Sequence, residues 1–342
     1  MTDRTSPTLS VLDLSPIPEG TGAGEALRNS LDLARHVEAL GYRRYWMAEH
    51  HNMPGLACCA TAVALAHIAA GTSTIRVGSG GIMLPNHSPL IVAEQFGTLA
   101  ALHPGRIDLG LGRAPGTDQR TAWAIRRNLG GDVDDFPRDV MELMAYFQPV
   151  QPDQLVQATP AAGQEVPVWI LGSSTYGAQL AAHLGLPYGH ASHFAPQQLM
   201  EAIAIYRERF RPSAQLDRPY VMVGANVTAA PTDEEARFHF SSAQQSTLNL
   251  RRGRPGRLPP PVRDFEAGLG PSERAVLNGT FACAIVGGPE TVRQGVATLI
   301  ARTGADELMA TGNIHDHALR KRSFGILAEA VAAGQGARAA AA

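Results

Sequence analysis

Eight short apolar or alternating runs, each linked to the next by an amphipathic stretch, set the narrowest limit on how this chain can fold. Residues 9–14 precede a helical pattern over 23–40, residues 42–47 precede 58–69, and residues 75–84 precede 89–102. Residues 107–111 lead into a long segment, 166–171 precede 175–184, and 187–191 precede 197–210. The last two runs are 220–227 and 307–311, the second of them following a helical stretch over 289–301. In the 197–210 stretch, Leu199, Ile203, Tyr206 and Phe210 fall at spacings of four, three and four, which lines one helix face. Strands alternating with helices imply a parallel sheet, and eight units closing on themselves make a (β/α)8 TIM barrel. An open doubly wound sheet is the second reading. The expected organisation is one domain over 1–342, with insertions at about 114–165 after the fourth strand and about 248–288 after the seventh, and a flexible tail at about 332–342. Pro259, Pro260 and Pro261 keep part of the second insertion from being regular helix or central strand.

Composition removes several chemistries. Of 29 basic side chains only Lys321 is a lysine, so Schiff-base and pyridoxal-phosphate enzymes and Walker-type nucleotide sites are excluded. With 31 acidic groups against those 29, no large positive field exists for nucleic acid. No secretory signal is visible at the start, and the longest apolar stretch, 57–70, is too short to span a bilayer. Cys58, Cys59 and Cys283 form an odd set without CxxC spacing, which points to a reducing cytoplasm and against a zinc ribbon.

Active sites of parallel barrels lie at the carboxyl ends of the strands, and five such ends here carry polar groups. The second run ends in Glu49-His50-His51-Asn52, the fourth in Gly110-Leu111-Gly112-Arg113, the fifth in Gly172-Ser173-Ser174, the sixth in His190-Ala191-Ser192-His193, and the eighth in Asn313-Ile314-His315-Asp316-His317. Where the fifth run enters a helix, through Ser173, Ser174, Thr175, Tyr176 and Gly177, free amides and the positive end of the helix dipole suit an anion, although ordinary N-capping is the simpler reading of that motif alone. Arg113 at the adjacent strand end could reach the same anion with a forked donor set. The string from Gly110 to Gly116 is not a dinucleotide fingerprint, because its third glycine comes one residue late. His50 and His51 have three readings: metal ligands with His315 and His317, a structural histidine tied to Glu49, or a general base in a pocket. Adjacent histidines point opposite ways if the strand continues, which disfavours the first, and no metal ligands are assigned. Gly78, Gly80 and Gly81 inside the third run suggest a bulge or the close approach of a flat ligand. Flat and phosphate-bearing together suggest flavin mononucleotide.

These strings together resemble the bacterial-luciferase-like flavin monooxygenases: EHH after the second strand, VGSGGIMLP at the third, GRIDLGLGR at the fourth, LGSS before LGLPYGHASHF, and GNIHDH after the eighth. The resemblance runs from about Leu9 to Ala330. It implies a (β/α)8 barrel that binds reduced FMN supplied by a separate NAD(P)H:flavin reductase, activates dioxygen through a C4a-peroxyflavin, and oxidises a small organic substrate, in a cytoplasmic homodimer. By the same resemblance, His50 matches the histidine essential for oxidation and Glu49 its neighbour. Gly80 and Gly81 match a cis-joined pair against the flavin ring, and Arg113 matches the arginine on the flavin phosphate. Ser174 matches a phosphate-contacting serine, and Tyr176 and Gly177 fall where amides complete the cradle. Ser173 departs from the family pattern, where a glutamate stands. Rival readings are a deazaflavin-dependent dehydrogenase on the same barrel, a non-catalytic flavin-binding protein, and a metal-dependent hydrolase using His50, His51, His315 and His317.

Overall fold

The protein is described by a computed structural model covering residues 7–114, 118–126 and 135–339. Its elements run β1 (Thr8–Asp13), α1 (Ala23–Ala39), β2 (Arg44–Met47), α2 (Thr61–Ala70), β3 (Arg76–Met83), α3 (Pro89–Leu102), β4 (Ile107–Gly112), α4 (Gln119–Arg126), α5 (Phe136–Tyr146), β5 (Val168–Gly172), α6 (Thr175–Leu184) and β6 (Tyr188–His190). They continue with α7 (Leu199–Arg209), β7 (Val221–Ala229), α8 (Asp233–Arg251), α9 (Pro271–Thr280), β8 (Ile285–Gly287), α10 (Pro289–Thr303), β9 (Glu307–Thr311) and α11 (His317–Ala339).

Strands β1 to β7 pair in sequence order and in parallel, β9 pairs with β7, and β1 pairs with β9, so eight strands close into a ring. Closure excludes the open sheet. The eighth barrel strand is β9, because β8 pairs only with the carboxyl end of β7, Ile285 to Gly287 lying against Val227 to Ala229 outside the ring. The sequence reading assigns no strand there: three residues are too few to show a period. The second insertion accordingly holds the end of α8, α9 and β8. Helix α11 continues to Ala339, into the segment read as a tail, and residues 340–342 lie outside the described residues.

Helices cover the sheet from outside, which explains why β7 is buried at all nine positions and why its sequence carries no polar alternation. On α7 the buried positions are Leu199, Ala202, Ile203 and Tyr206, the face expected from the spacing, while Phe210 caps the helix. Inside the ring, at the amino-terminal end, buried Arg44 of β2 reaches across to Asp108 of β4 at 2.7 Å and to Glu307 of β9 at 3.0 Å. Trp46 donates to Asp108 at 3.1 Å, and the Arg44 guanidinium lies 4.8 Å from the Trp169 ring. This layer plugs the barrel floor with paired charge, leaving the opposite, carboxyl end open.

Candidate active site

At that carboxyl end lies a cavity of about 370 Å³, in the size range of small-ligand sites. Its walls bring together His50, Gly80, Gly81, Arg113, Ser173, Ser174, Tyr176 and Gly177, all eight residues singled out in the sequence.

The floor is made by β3. The Gly80-Gly81 peptide is cis, as the resemblance implies, and the pairing with β4 slips by one residue between Gly80 and Ile82. A Cβ on Gly80 would stand 2.5 Å from Leu12 Cδ1, and one on Gly81 would stand 2.6 Å from the Gly110 carbonyl oxygen. Neither position has room for a side chain, so bare backbone faces the cavity. Gly78 has another reason: its Cβ would meet the Trp46 indole nitrogen at 2.7 Å and the Asp108 side chain at 2.8 Å, so it makes space for the barrel plug and does not line the cavity.

The cradle is made by β4, β5 and α6. Ser174 is the N-cap of α6 in extended conformation (φ −138°, ψ 173°), and its side chain makes no cap hydrogen bond. The first-turn amides are therefore not consumed by the serine, and the positive end of the helix dipole faces the cavity. Arg113, half-buried at the end of β4, holds its guanidinium 3.9 Å from the centre of the Tyr176 ring. Among the described residues no carboxylate pairs with Arg113, and it carries the one full charge of the cavity lining. A dianionic phosphate is the ligand group that such a set suits.

Beneath the cradle the Tyr188 hydroxyl lies 2.8 Å from His190 Nδ1 and 3.3 Å from the Ser174 carbonyl oxygen. Burial pushes the His190 imidazole down to about 4, so it is neutral near pH 7. His193, at the same strand end, also lines the cavity, and its buried Nδ1 has no hydrogen-bond partner among the described residues. Burial first, and then the imidazoles of His50 and His190, lower it to about 4. The sequence reading lists His193 as a polar strand end and gives it no role. Its signal lay in Gly224, whose Cβ would stand 2.5 Å from His193 Nδ1, a contact across 31 positions that no local pattern reveals.

The Glu49-His50-His51 segment divides as alternation requires. His50 lines the cavity; Glu49 and His51 point away from it. Glu49 Oε1 accepts from His51 Nε2 and from His87 Nε2, each at 2.8 Å, and Oε2 accepts from the Met83 amide at 3.1 Å. Burial raises the Glu49 carboxyl, but these partners outweigh it and hold the group below its usual range. The four-histidine metal site does not form: His317 pairs with Asp32 at 2.7 Å beside α1, and His51 turns to Glu49. Among the described residues, the group of His, Cys, Asp or Glu close enough to share an ion is Glu49, His51 and His87.

A closed parallel barrel whose carboxyl-end cavity offers a bare-backbone floor, an uncapped helix start and one arginine defines a small-ligand site suited to a flat, anionic molecule. The chain belongs to the luciferase-like monooxygenase family, whose family model matches residues 8–307. It is 53% identical over 324 residues to the luciferase-like monooxygenase of Escherichia coli (strain K12), covering 95% of this chain and 96% of that protein. Among solved structures it is similar to apo-MsnO8, at 37% identity and a TM-score of 0.88 over 94% of this chain and 98% of that one. The fold also matches the oxygenating constituent of 3,6-diketocamphane monooxygenase from the CAM plasmid of Pseudomonas putida in complex with FMN, at 16% identity and a TM-score of 0.70 over 95% and 98%. The protein is thus an enzyme of the monooxygenase class. Among the described residues no helix is long and apolar enough to cross a membrane.

Proposed function

We propose that the protein is a two-component monooxygenase that takes reduced FMN from a partner NAD(P)H:flavin reductase and uses dioxygen to oxidise a small organic substrate. The observation that carries this reading is the convergence, in one cavity, of the Gly80-Gly81 floor, Arg113 and the uncapped start of α6. The residues present fit the cofactor: Arg113 with the amides from Thr175 to Gly177 and the Ser173 and Ser174 hydroxyls would hold its phosphate, and the glycine floor would take its flat ring. When bound, reduced flavin would supply the two electrons that activate dioxygen, so that one oxygen atom passes to the substrate and the other leaves as water.

The chain does the rest. Leu12, Phe136, Met222 and Met309 line the cavity and exclude water from the reacting centre. His50, beside the floor, holds or moves the proton at its imidazole as oxygen is transferred. His193, neutral near pH 7, offers Nδ1 to a polar group of the substrate. A cytoplasmic setting is supported by the three free cysteines, and a homodimer is carried over from the family resemblance.

The test is to mix the protein anaerobically with reduced FMN and then with oxygenated buffer in a stopped-flow spectrometer. A transient whose spectrum is neither that of reduced nor of oxidised flavin is expected. Reoxidation at the rate of free flavin would refute the reading, and hydride transfer to an oxidised deazaflavin, or from a reduced one, would assign the dehydrogenase alternative.

A further inference from the structure

On the far side of the strand end that carries His50, Glu49, His51 and His87 bring one carboxylate oxygen and two imidazole nitrogens to within 4.8 Å of one another. We propose that this triad is a binding site for a divalent zinc-class ion, separate from the flavin cavity and from the reacting centre. None of the three side chains lines that cavity.

Four features favour an ion there. The donor set, two imidazoles and one carboxylate, is the borderline set that zinc takes, and a three-ligand site leaves a fourth position for water. Two sides of the ligand triangle are close to the size an ion needs, and the third is within 4.8 Å. Both Nε2 atoms stand 2.8 Å from Glu49 Oε1, whereas tetrahedral zinc with bonds near 2.1 Å separates its ligand atoms by about 3.4 Å. Lengthening those two sides takes about half an ångström, within reach of rotations of His51 and His87, whose side chains are 19% and 27% exposed. That exposure also gives an ion a way in, while Glu49 is held at the bottom with its side chain 1% exposed.

Orientation of the carboxylate is the remaining feature. The Met83 amide occupies Oε2 and leaves Oε1 aimed at both imidazoles, the arrangement by which an outer partner fixes a metal-bound carboxylate. Coordination needs no net loss of protons from neutral rings. Each imidazole passes from the Nε2–H to the Nδ1–H tautomer and donates the freed Nε2 lone pair to the ion. The ligands come from the segment after β2 and from the turn after β3, which the Met83 amide and His87 join at Glu49. An ion would therefore fasten the loop carrying His50 to the end of β3.

The test uses the full-length chain without an affinity tag, titrated with ZnCl2 in competition with a chromophoric chelator, with FMN titrated into the same samples. One zinc ion per chain is expected. Glu49→Gln, which preserves shape and the Met83 contact, and His87→Ala, at the more exposed ligand, should each weaken zinc by about 100-fold or more, since loss of a direct ligand exceeds the 10–100-fold typical of an outer partner. His87→Ala should leave FMN affinity within about twofold. Absence of saturable zinc binding to the wild-type chain, or binding that survives both substitutions, overturns the proposal. Zinc binding without FMN binding upholds it while refuting the flavin reading, and the converse refutes it alone.

Discussion

Replacing Arg113 with alanine separates the phosphate contact from every other contribution to cofactor binding, because the arginine is the single full charge in the described lining. Two effects follow from its geometry. The guanidinium stacks 3.9 Å from the Tyr176 ring, and loss of that contact, about 0.5–1 kcal/mol, loosens the first turn of α6. This cost falls on FMN and riboflavin alike. The second effect is the loss of charge-assisted hydrogen bonds to the phosphate, about 1.5–3 kcal/mol. Arg113 is half-buried at the mouth, so a value near 2 kcal/mol is appropriate, and at about 1.4 kcal/mol per decade it weakens FMN by about 30-fold beyond the shared loss. Riboflavin lacks the phosphate and shows only the shared loss. Calorimetric titration of wild type, Arg113→Ala and Arg113→Lys with both ligands at two ionic strengths measures the ratio directly. Lysine should recover part of the preference, as a point charge without the fork. The wild-type preference should fall as salt screens the pair, and the alanine variant should lose most of that salt dependence. Equal weakening of FMN and riboflavin, or a salt response unchanged by the substitution, would refute the assignment of Arg113 to the phosphate.

Asp13 and Arg320 form a buried pair at 2.7 Å that ties β1 to α11, so Asp13→Asn leaves Arg320 uncompensated and should cost about 3–5 kcal/mol in chemical denaturation. Burial alone raises the Asp13 carboxyl, but Arg320 with hydrogen bonds from Ser30 and Tyr45 lowers it overall, so its contribution is complete at neutral pH and disappears as pH falls below about 4; a flat stability curve from pH 5 to 2 would contradict this. Burial pushes the Cys58 thiol up to about 12, and Cys283 is buried while Cys59 is exposed, so iodoacetamide should modify one cysteine in the native chain, Cys59, and three after denaturation. Gly224→Ala places a methyl group 2.5 Å from His193 Nδ1 and must displace the ring, so histidine NMR should show its pKa rising from about 4 toward 6.5; an unchanged titration would mean that the ring is not held against Gly224.

What could be read from the sequence was what local periodicity encodes. Strand β9 and helices α3 and α6 match their expected bounds, and the other barrel strands differ by one or two residues at an end, because an apolar run flanked by glycine or a polar cluster marks a strand by itself. Six of the eight cavity residues were legible because parallel strands deliver their carboxyl ends, and the helix starts that follow, to one rim whatever their separation in sequence, and Gly80 and Gly81 because glycine inside a strand marks a close approach. Contacts between loops and across the barrel were not legible. His87 is 36 positions from His51, and nothing in the spacing assigns it to Glu49 instead of to solvent. The Arg44, Asp108 and Glu307 plug was equally hidden: each residue interrupts an apolar run, and only closure of the ring lets β2 face both β4 and β9.

Alternation carried past the end of β2 to Glu49-His50-His51 links these two kinds of information, since Trp46, Ala48 and His50 all line the cavity. With a period of two, placing His50 in the cavity obliges Glu49 and His51 to leave it, and a carboxylate sent into a barrel wall must find donors there. It finds them in His51, His87 and the Met83 amide, the last belonging to the strand that forms the cavity floor. Three residues after β2 therefore serve two environments through one backbone: the imidazole that faces the reacting centre, and the anchor that fixes its height above Gly80 and Gly81. A change at Glu49, which does not line the cavity, should consequently move His50 and through it the cavity wall, whereas a change at His50 should leave the anchor intact.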